Sequence, residues 1–227
     1  MATAPQLDKV LEHLEQQSLH PHHLILTGDL AEEPLPLTYD IIGRRIQRLA
    51  CPTDCLPGNH DDPQVMHQTL PALGLGMSRV IHQDQWRILM LDSTMPGSSK
   101  GNLGLLELEW LSETLQEFTS YWIAIALHHP PVSVGSLWME GMRLKDHAAF
   151  LAMLSQHDNI RACVFGHVHQ EFDATIEGVR FLGCPSTCVQ FTPGAKDLST
   201  NDDAPGYRVL DLFENGDIET RVIRVKA

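Results

Sequence analysis

An α/β fold with buried strands is what this sequence predicts, and three observations predict it. Apolar runs of strand length alternate with helical spacing through residues 1–170. Four of those runs end abruptly in clusters of Gly, Asp, Asn or His. From residue 171 the texture changes to short, alternating strands separated by turn residues.

The elements follow in order. Leu7, Val10, Leu11 and Leu14 recur at three and four residues, the spacing of one helical face, and SLHPHH interrupts them before a short strand at 24–26. A helix is expected over 39–49, then the proline-bracketed CPTDCLPGNHDD, then a short helix over 65–73. Strands follow at WRILMLDS (86–93) and, after a helix over 105–118, at YWIAIALHH (121–129). A helix over 144–155 leads to RACVFGHVH (161–169). Such continuously apolar strands between helices are expected to be covered on both faces. Beyond them, FDATIEGVRFLG (172–183) and YRVLDLFENGDIETRVIRV (207–225) read as strands, the second with an Asn-Gly turn that closes a hairpin. Between them FTPGAKDLSTNDDAPG (191–206) has no period and is expected to be a loop able to cover a site.

The chain of 227 residues is read as a single domain over 1–227, with an α/β part (1–170) and a β-rich part (171–227). No run approaches the roughly 18 apolar residues of a membrane span, and MATAPQLDKVLEHLEQQ lacks the pattern of a secretory signal, so the cytoplasm is the expected compartment. Five cysteines, an odd number, argue against a disulfide framework, and the two C-x-x-x-C pairs lack the spacing of structural zinc sites, so the thiols are expected to be reduced and structural. A formal charge of −13 disfavours nonspecific nucleic-acid binding. A phosphorylated substrate would therefore need a bound cation to attract it.

The candidate chemistry sits where four apolar runs end: LILTGD (Asp29), LPGNHD (Asn59, His60, Asp61), IAIALHHPP (His128, His129) and CVFGHVH (His167, His169). In α/β sheets the loops at the carboxyl ends of strands converge, which implies one shared site. Gly28, Gly58 and Gly166 each precede a candidate ligand and would let the backbone turn beside a crowded centre. Taken singly, Asp29 is a candidate helix cap, GNHDD a turn and His128 a core histidine; taken jointly and in order, they point to metal ligation. A carboxylate, an amide and several imidazoles suit manganese, iron or zinc better than calcium. His167 and His169 aim at one point if the chain stays extended, and at two if it turns after Gly166. Asp61 is expected to support the site from behind. His129, the neighbour of His128 in an extended chain, is expected to point away from it. Trp86, Trp110, Trp122 and Trp138 are expected in the core, with Trp138 and Met139 edging the pocket. The remaining histidines are assigned to surface or packing.

The series G-D, G-N-H-D, H-H-P-P, G-H-x-H, spanning residues 28–169, resembles the calcineurin-like metallophosphoesterases. The resemblance implies a four-layer α/β/β/α sandwich, the metallo-dependent phosphatase fold. GCPSTCVQFTP and APGYRVLDL are similar to the class III branch, which hydrolyses 3′,5′-cyclic AMP. Carried over, it implies that Asp29 bridges two divalent ions. Asn59, His128 and His167 complete one shell, His169 serves the other, and His60 acts beside the phosphate. The activity implied is hydrolysis of 3′,5′-cyclic AMP to 5′-AMP through a metal-activated hydroxide. A broader phosphodiesterase or phosphatase, and a metal-depleted, non-catalytic binding module, stand as alternatives.

One departure qualifies that carry-over. The family opens with a strand ending in Asp-x-His, and no Asp-x-His occurs anywhere in this sequence, so the first strand of the fold is expected to be absent. Either the sequence is an N-terminally incomplete form of a longer chain, or the first metal position is lost and one ion, rather than two, remains. An edge left open in this way would also suit a homodimer formed by strand exchange.

Overall fold

The computed structural model describes residues 3–17 and 20–226. Four layers are stacked in it, helices outside and two sheets inside. The first outer layer is helix α1 (Ala4–Gln16), α2 (Pro36–Gln47) and α3 (Pro63–Thr69), the last continuing into a 3-10 turn at Pro71–Leu73. Against it lie the parallel strands β1 (Leu24–Leu26), β2 (Thr53–Cys55) and β3 (Leu75–Gly76). Leu11, Tyr39, Ile46, Met66 and Leu70 seal these helices onto Cys55 and Leu75. The break at SLHPHH begins at residues 18 and 19, outside the described residues.

The second sheet contains six strands: β4 (Val80–Gln83), β5 (Trp86–Met90), β6 (Trp122–Leu127), β7 (Ile160–Phe165), β8 (Phe172–Ile176) and β9 (Val179–Gly183). Their order is β4-β5-β6-β7-β9-β8, with β5, β6, β7 and β9 parallel. Side chains alternate across it, as the two-residue repeat of a strand requires. Ile88, Met90, Ala124 and Ala126 face the other sheet, where Leu56 and Ile25 meet them. Leu89, Leu91, Ile123, Ile125 and Leu127 face the second outer layer, packing with Leu111 and Leu115 of α4 (Gly104–Glu117) and, beyond a one-turn helix α5 (Leu137–Glu140), with Phe150 and Leu154 of α6 (His147–Leu154).

Several expectations need adjusting. The loop at 191–206 contains a small antiparallel pair, β10 (Gln190–Phe191) with β11 (Thr200–Asn201). The C-terminal hairpin, β12 (Gly206–Leu212) and β13 (Ile218–Arg224), is linked by five residues rather than by a two-residue turn; Gly216 adopts φ 87 there and donates its N–H to Phe213 O. The hairpin lies on the six-stranded sheet through Leu210, Leu212 and Ile218. Among the described residues β1 has no strand on its other side and the hairpin pairs only with itself, leaving an open edge. No described helix is long and apolar enough to cross a membrane.

Candidate metal centre

Turns at the ends of β1, β2, β6 and β7 assemble the centre, and their backbones are held tightly. After β1 the chain passes through Gly28 at φ 91 and Asp29 at φ 55, both left-handed. A Cβ on Gly28 would lie 2.6 Å from both Gly58 N and His128 Nδ1, so only glycine fits. A Cβ on Gly58 would collide with the Asp29 carboxylate. Asp61 fastens the two loops together. Its carboxylate accepts N–H groups from Leu30 (3.1 Å), Ala31 (3.1 Å) and Gly58 (2.9 Å) and the Tyr39 hydroxyl (3.0 Å).

His128 follows β6 and is buried. Its Nδ1 lies 2.7 Å from Thr27 O; a carbonyl only accepts, so Nδ1 carries the proton and a neutral ring offers its lone pair at Nε2. That Nε2 is 3.2 Å from Asp29 Oδ2 and 3.1 Å from His167 Nδ1. His167 and His169 are both left-handed, at φ 62 and φ 46, and Val168 N–H donates to Gly166 O at 2.6 Å. The chain therefore turns after Gly166 instead of staying extended. The His167 ring meets His128, whereas the His169 ring stacks on Phe191. Asn59 brings a buried amide oxygen that has no hydrogen-bond partner. His60 donates its backbone N–H to Asp29 Oδ1 at 3.0 Å, while its ring stands at the rim, 44% exposed, with Nδ1 3.2 Å from Glu32.

Burial and neighbouring charges set the protonation of the centre. Burial alone would raise the Asp29 carboxyl, but the hydrogen bond and charge of His128 and the His60 N–H hold it well below the usual carboxylate range. Burial opposes charge on His128, yet Asp29 and the Thr27 carbonyl raise it above the ordinary imidazole value. Burial, reinforced by His128, pushes His129 down to about 3. Burial pushes His169 to about 4, against the pull of Asp29 and the Val189 carbonyl, and carries His167 well below its normal range. Asp29 Oδ2 and His167 Nδ1 thus both lie at hydrogen-bond distance from His128 Nε2. A carboxylate, two imidazole nitrogens and, from Asn59, an unpartnered amide oxygen are ligands of the kind that hold a divalent cation.

His129 requires a correction. It was expected to point away from His128, but their ring centroids are 4.9 Å apart. Ligand atoms of His128, His129 and His167 all lie within 4.8 Å of one another. Strand alternation fails because β6 ends at Leu127 and the chain bends into Pro130. Ser93 then fixes the ring: its Oγ is 2.9 Å from His129 Nδ1 and accepts the His129 N–H at 3.2 Å, and Nε2 is left buried without a partner. His129 stood in a marked motif but its direction did not follow from it, and no sequence pattern marked Ser93 or the contact of Phe191 with His169, since these meet the centre through contacts distant along the chain. Trp86 lies in the core as expected, and half-buried Trp138 packs edge-on against Phe191. All five cysteines are free; burial pushes the Cys55 thiol up to about 12.

Acceptor groups gathered at the strand ends of a four-layer sandwich define a metal-dependent phosphoesterase. Residues 2–171 match the calcineurin-like phosphoesterase family, and the chain belongs to it. It is 33% identical over 225 residues to the 3′,5′-cyclic adenosine monophosphate phosphodiesterase CpdA of Pseudomonas aeruginosa, spanning 99% of this chain and 82% of that protein. It is 31% identical over 225 residues to the 3′,5′-cyclic-nucleotide phosphodiesterase alr5338 of Nostoc sp., spanning 99% and 85%. Among solved structures, a dimetal phosphatase from Danio rerio superposes with a TM-score of 0.67 at 13% identity, covering 98% of this chain and 89% of that one. At that identity the likeness is one of fold.

Proposed function

We propose that the chain is a cytoplasmic, single-domain phosphodiesterase that opens 3′,5′-cyclic AMP to 5′-AMP. The observation that carries the reading is the convergence of Asp29 Oδ2 and His167 Nδ1 on His128 Nε2, three atoms of metal-ligand type brought together from three loops. Its support for the substrate is the similarity, over nearly the whole chain, to enzymes named for cyclic nucleotides. Asp29 with Asn59, His128 and His167 would hold one divalent ion of manganese, iron or zinc, and Asp29 with His169 would hold a second. Divalent cations, when bound, polarise phosphoryl oxygens and bring the pKa of water toward neutrality.

The protein's own groups do the rest. Asp29 stays ionised at neutral pH because His128 and the His60 N–H hold its charge. His128, whose Nδ1 is committed to the Thr27 carbonyl, would present Nε2 to a cation. Asn59 keeps its buried amide oxygen free of any hydrogen-bond partner, as a ligand would need. His60 at the rim, with the Glu32 carboxylate 3.2 Å from its ring, is assigned to donate a proton to the leaving 3′ oxygen. Relative turnover of cyclic AMP and an aryl phosphodiester by the manganese-loaded chain tests the assignment. Preference for cyclic AMP supports it, hydrolysis of the aryl ester alone moves it to a broader phosphodiesterase, and turnover of neither contradicts it.

A further inference from the structure

His169 is held differently from its neighbours. His128 and His129 each place one ring nitrogen against an oxygen, Thr27 O and Ser93 Oγ, and contacts of that kind fix the orientation of a metal-binding imidazole. The buried Nδ1 of His169 has no hydrogen-bond partner. The ring is covered by Phe191 instead. The two planes are parallel to within 3°, with centroids 4.3 Å apart, and Phe191 N–H donates to His169 O at 3.2 Å. Phe191 is itself anchored. Its strand β10 pairs with β11, and Trp138 meets its ring edge-on at 5.0 Å and 88°. The Trp138 segment is tied to the same loop, since Leu137 N–H donates to Ala195 O at 3.0 Å and Gly194 N–H to Ser136 Oγ at 3.1 Å.

We infer that Phe191 is a positioning residue for His169, its ring setting the plane of the imidazole where a hydrogen bond to Nδ1 is lacking. The inference rests on the reading of His169 as a metal ligand. A flat aromatic neighbour stops rotation about the last side-chain torsion, so the lone pair of His169 points in one direction before any cation arrives. An aliphatic residue of similar bulk would fill the space without fixing the plane.

The test is titration of the full-length chain with Mn²⁺ by calorimetry, comparing wild type, Phe191→Leu, Phe191→Tyr and His169→Ala, alongside NMR of the metal-free proteins. The Leu variant is expected to lose about 10–100-fold in Mn²⁺ affinity, the range for losing an outer partner of a ligand, and the Tyr variant to restore it. The carbon-bound ring protons of His169 are expected upfield in wild type and the Tyr variant, displaced by the ring current, and at ordinary positions in the Leu variant. Wild-type affinity in Phe191→Leu, with His169→Ala weakened, overturns the positioning role and leaves the proposed function standing. Unaltered affinity in His169→Ala removes the ligand reading itself. Wild-type His169 ring protons without the upfield displacement overturn the inference whether or not the Leu variant folds.

Discussion

Gly58 has no side chain because the Asp29 carboxylate occupies the space where one would begin. Gly58→Ala is therefore expected to push that carboxylate away and to weaken Mn²⁺ binding by at least about 10-fold, read by calorimetry, with the helix content of the chain unchanged. Asp61 serves the same loops from behind, and Asp61→Ala leaves three buried N–H groups and the Tyr39 hydroxyl without their acceptor. The expected cost is about 3 kcal/mol, measured by urea unfolding of the metal-free chain, since each unsatisfied buried donor costs on the order of 1–3 kcal/mol and part of the loss is relaxed. Most of the site was legible at this scale. Asp29, Asn59, His128 and His167 sit in short motifs whose glycines and turn residues are themselves forced by crowding. The orientation of His129 and the parts played by Ser93 and Phe191 were not legible, because Ser93 lies 36 residues before His129 and Phe191 lies in an aperiodic loop.

At the scale of elements, the long apolar strands and amphipathic helices were readable because burial imposes their periods. The strands β5, β6 and β7 and the helices α4 and α6 appear close to where alternation and helical spacing put them. The strands β2, β3, β10 and β11 have only two or three residues each, too few for a period, and exist because a neighbour supplies the ladder. Helix α5 is a single turn whose Leu137 is bonded to the loop at Ala195, a contact that no local pattern specifies. Strand β6 also shows why residue size matters within a readable element. Ala124 and Ala126 face the other sheet, while Ile123, Ile125 and Leu127 face the helices. Ala126→Leu, which adds bulk where the two sheets approach, is expected to cost about 1–3 kcal/mol in thermal or urea unfolding, although it raises hydrophobicity.

At the scale of the whole molecule, two sheets bring loops from distant parts of the chain to one centre, and burial there keeps several imidazoles neutral. This has a consequence for the metal-free protein. His129 and His169 have folded values of about 3 and about 4, against about 6.5 in an unfolded chain, and His167 is lowered as well. The unfolded state therefore binds more protons in acid, so the stability these groups contribute is present above pH 6.5 and is lost as pH falls from about 6.5 through 4 toward 3. His128, raised by Asp29, has the opposite sign, and one group does not offset three. Urea midpoints of the metal-free chain should fall across that window, and a midpoint that rose would contradict the burial of neutral histidines. Among the described residues β1 stands at the edge of its sheet, beside β2 alone.

Under the proposed function, Asp29, His128 and His167 jointly hold a cation that serves hydrolysis of a cyclic phosphodiester. It is tested most directly by 5′-AMP release from cyclic AMP, using the purified chain stripped of metal and then given Mn²⁺, beside His128→Ala treated in the same way. The account predicts release that requires the added ion and disappears in the variant. Release that persists in the metal-free chain, or turnover in His128→Ala equal to wild type, would contradict it.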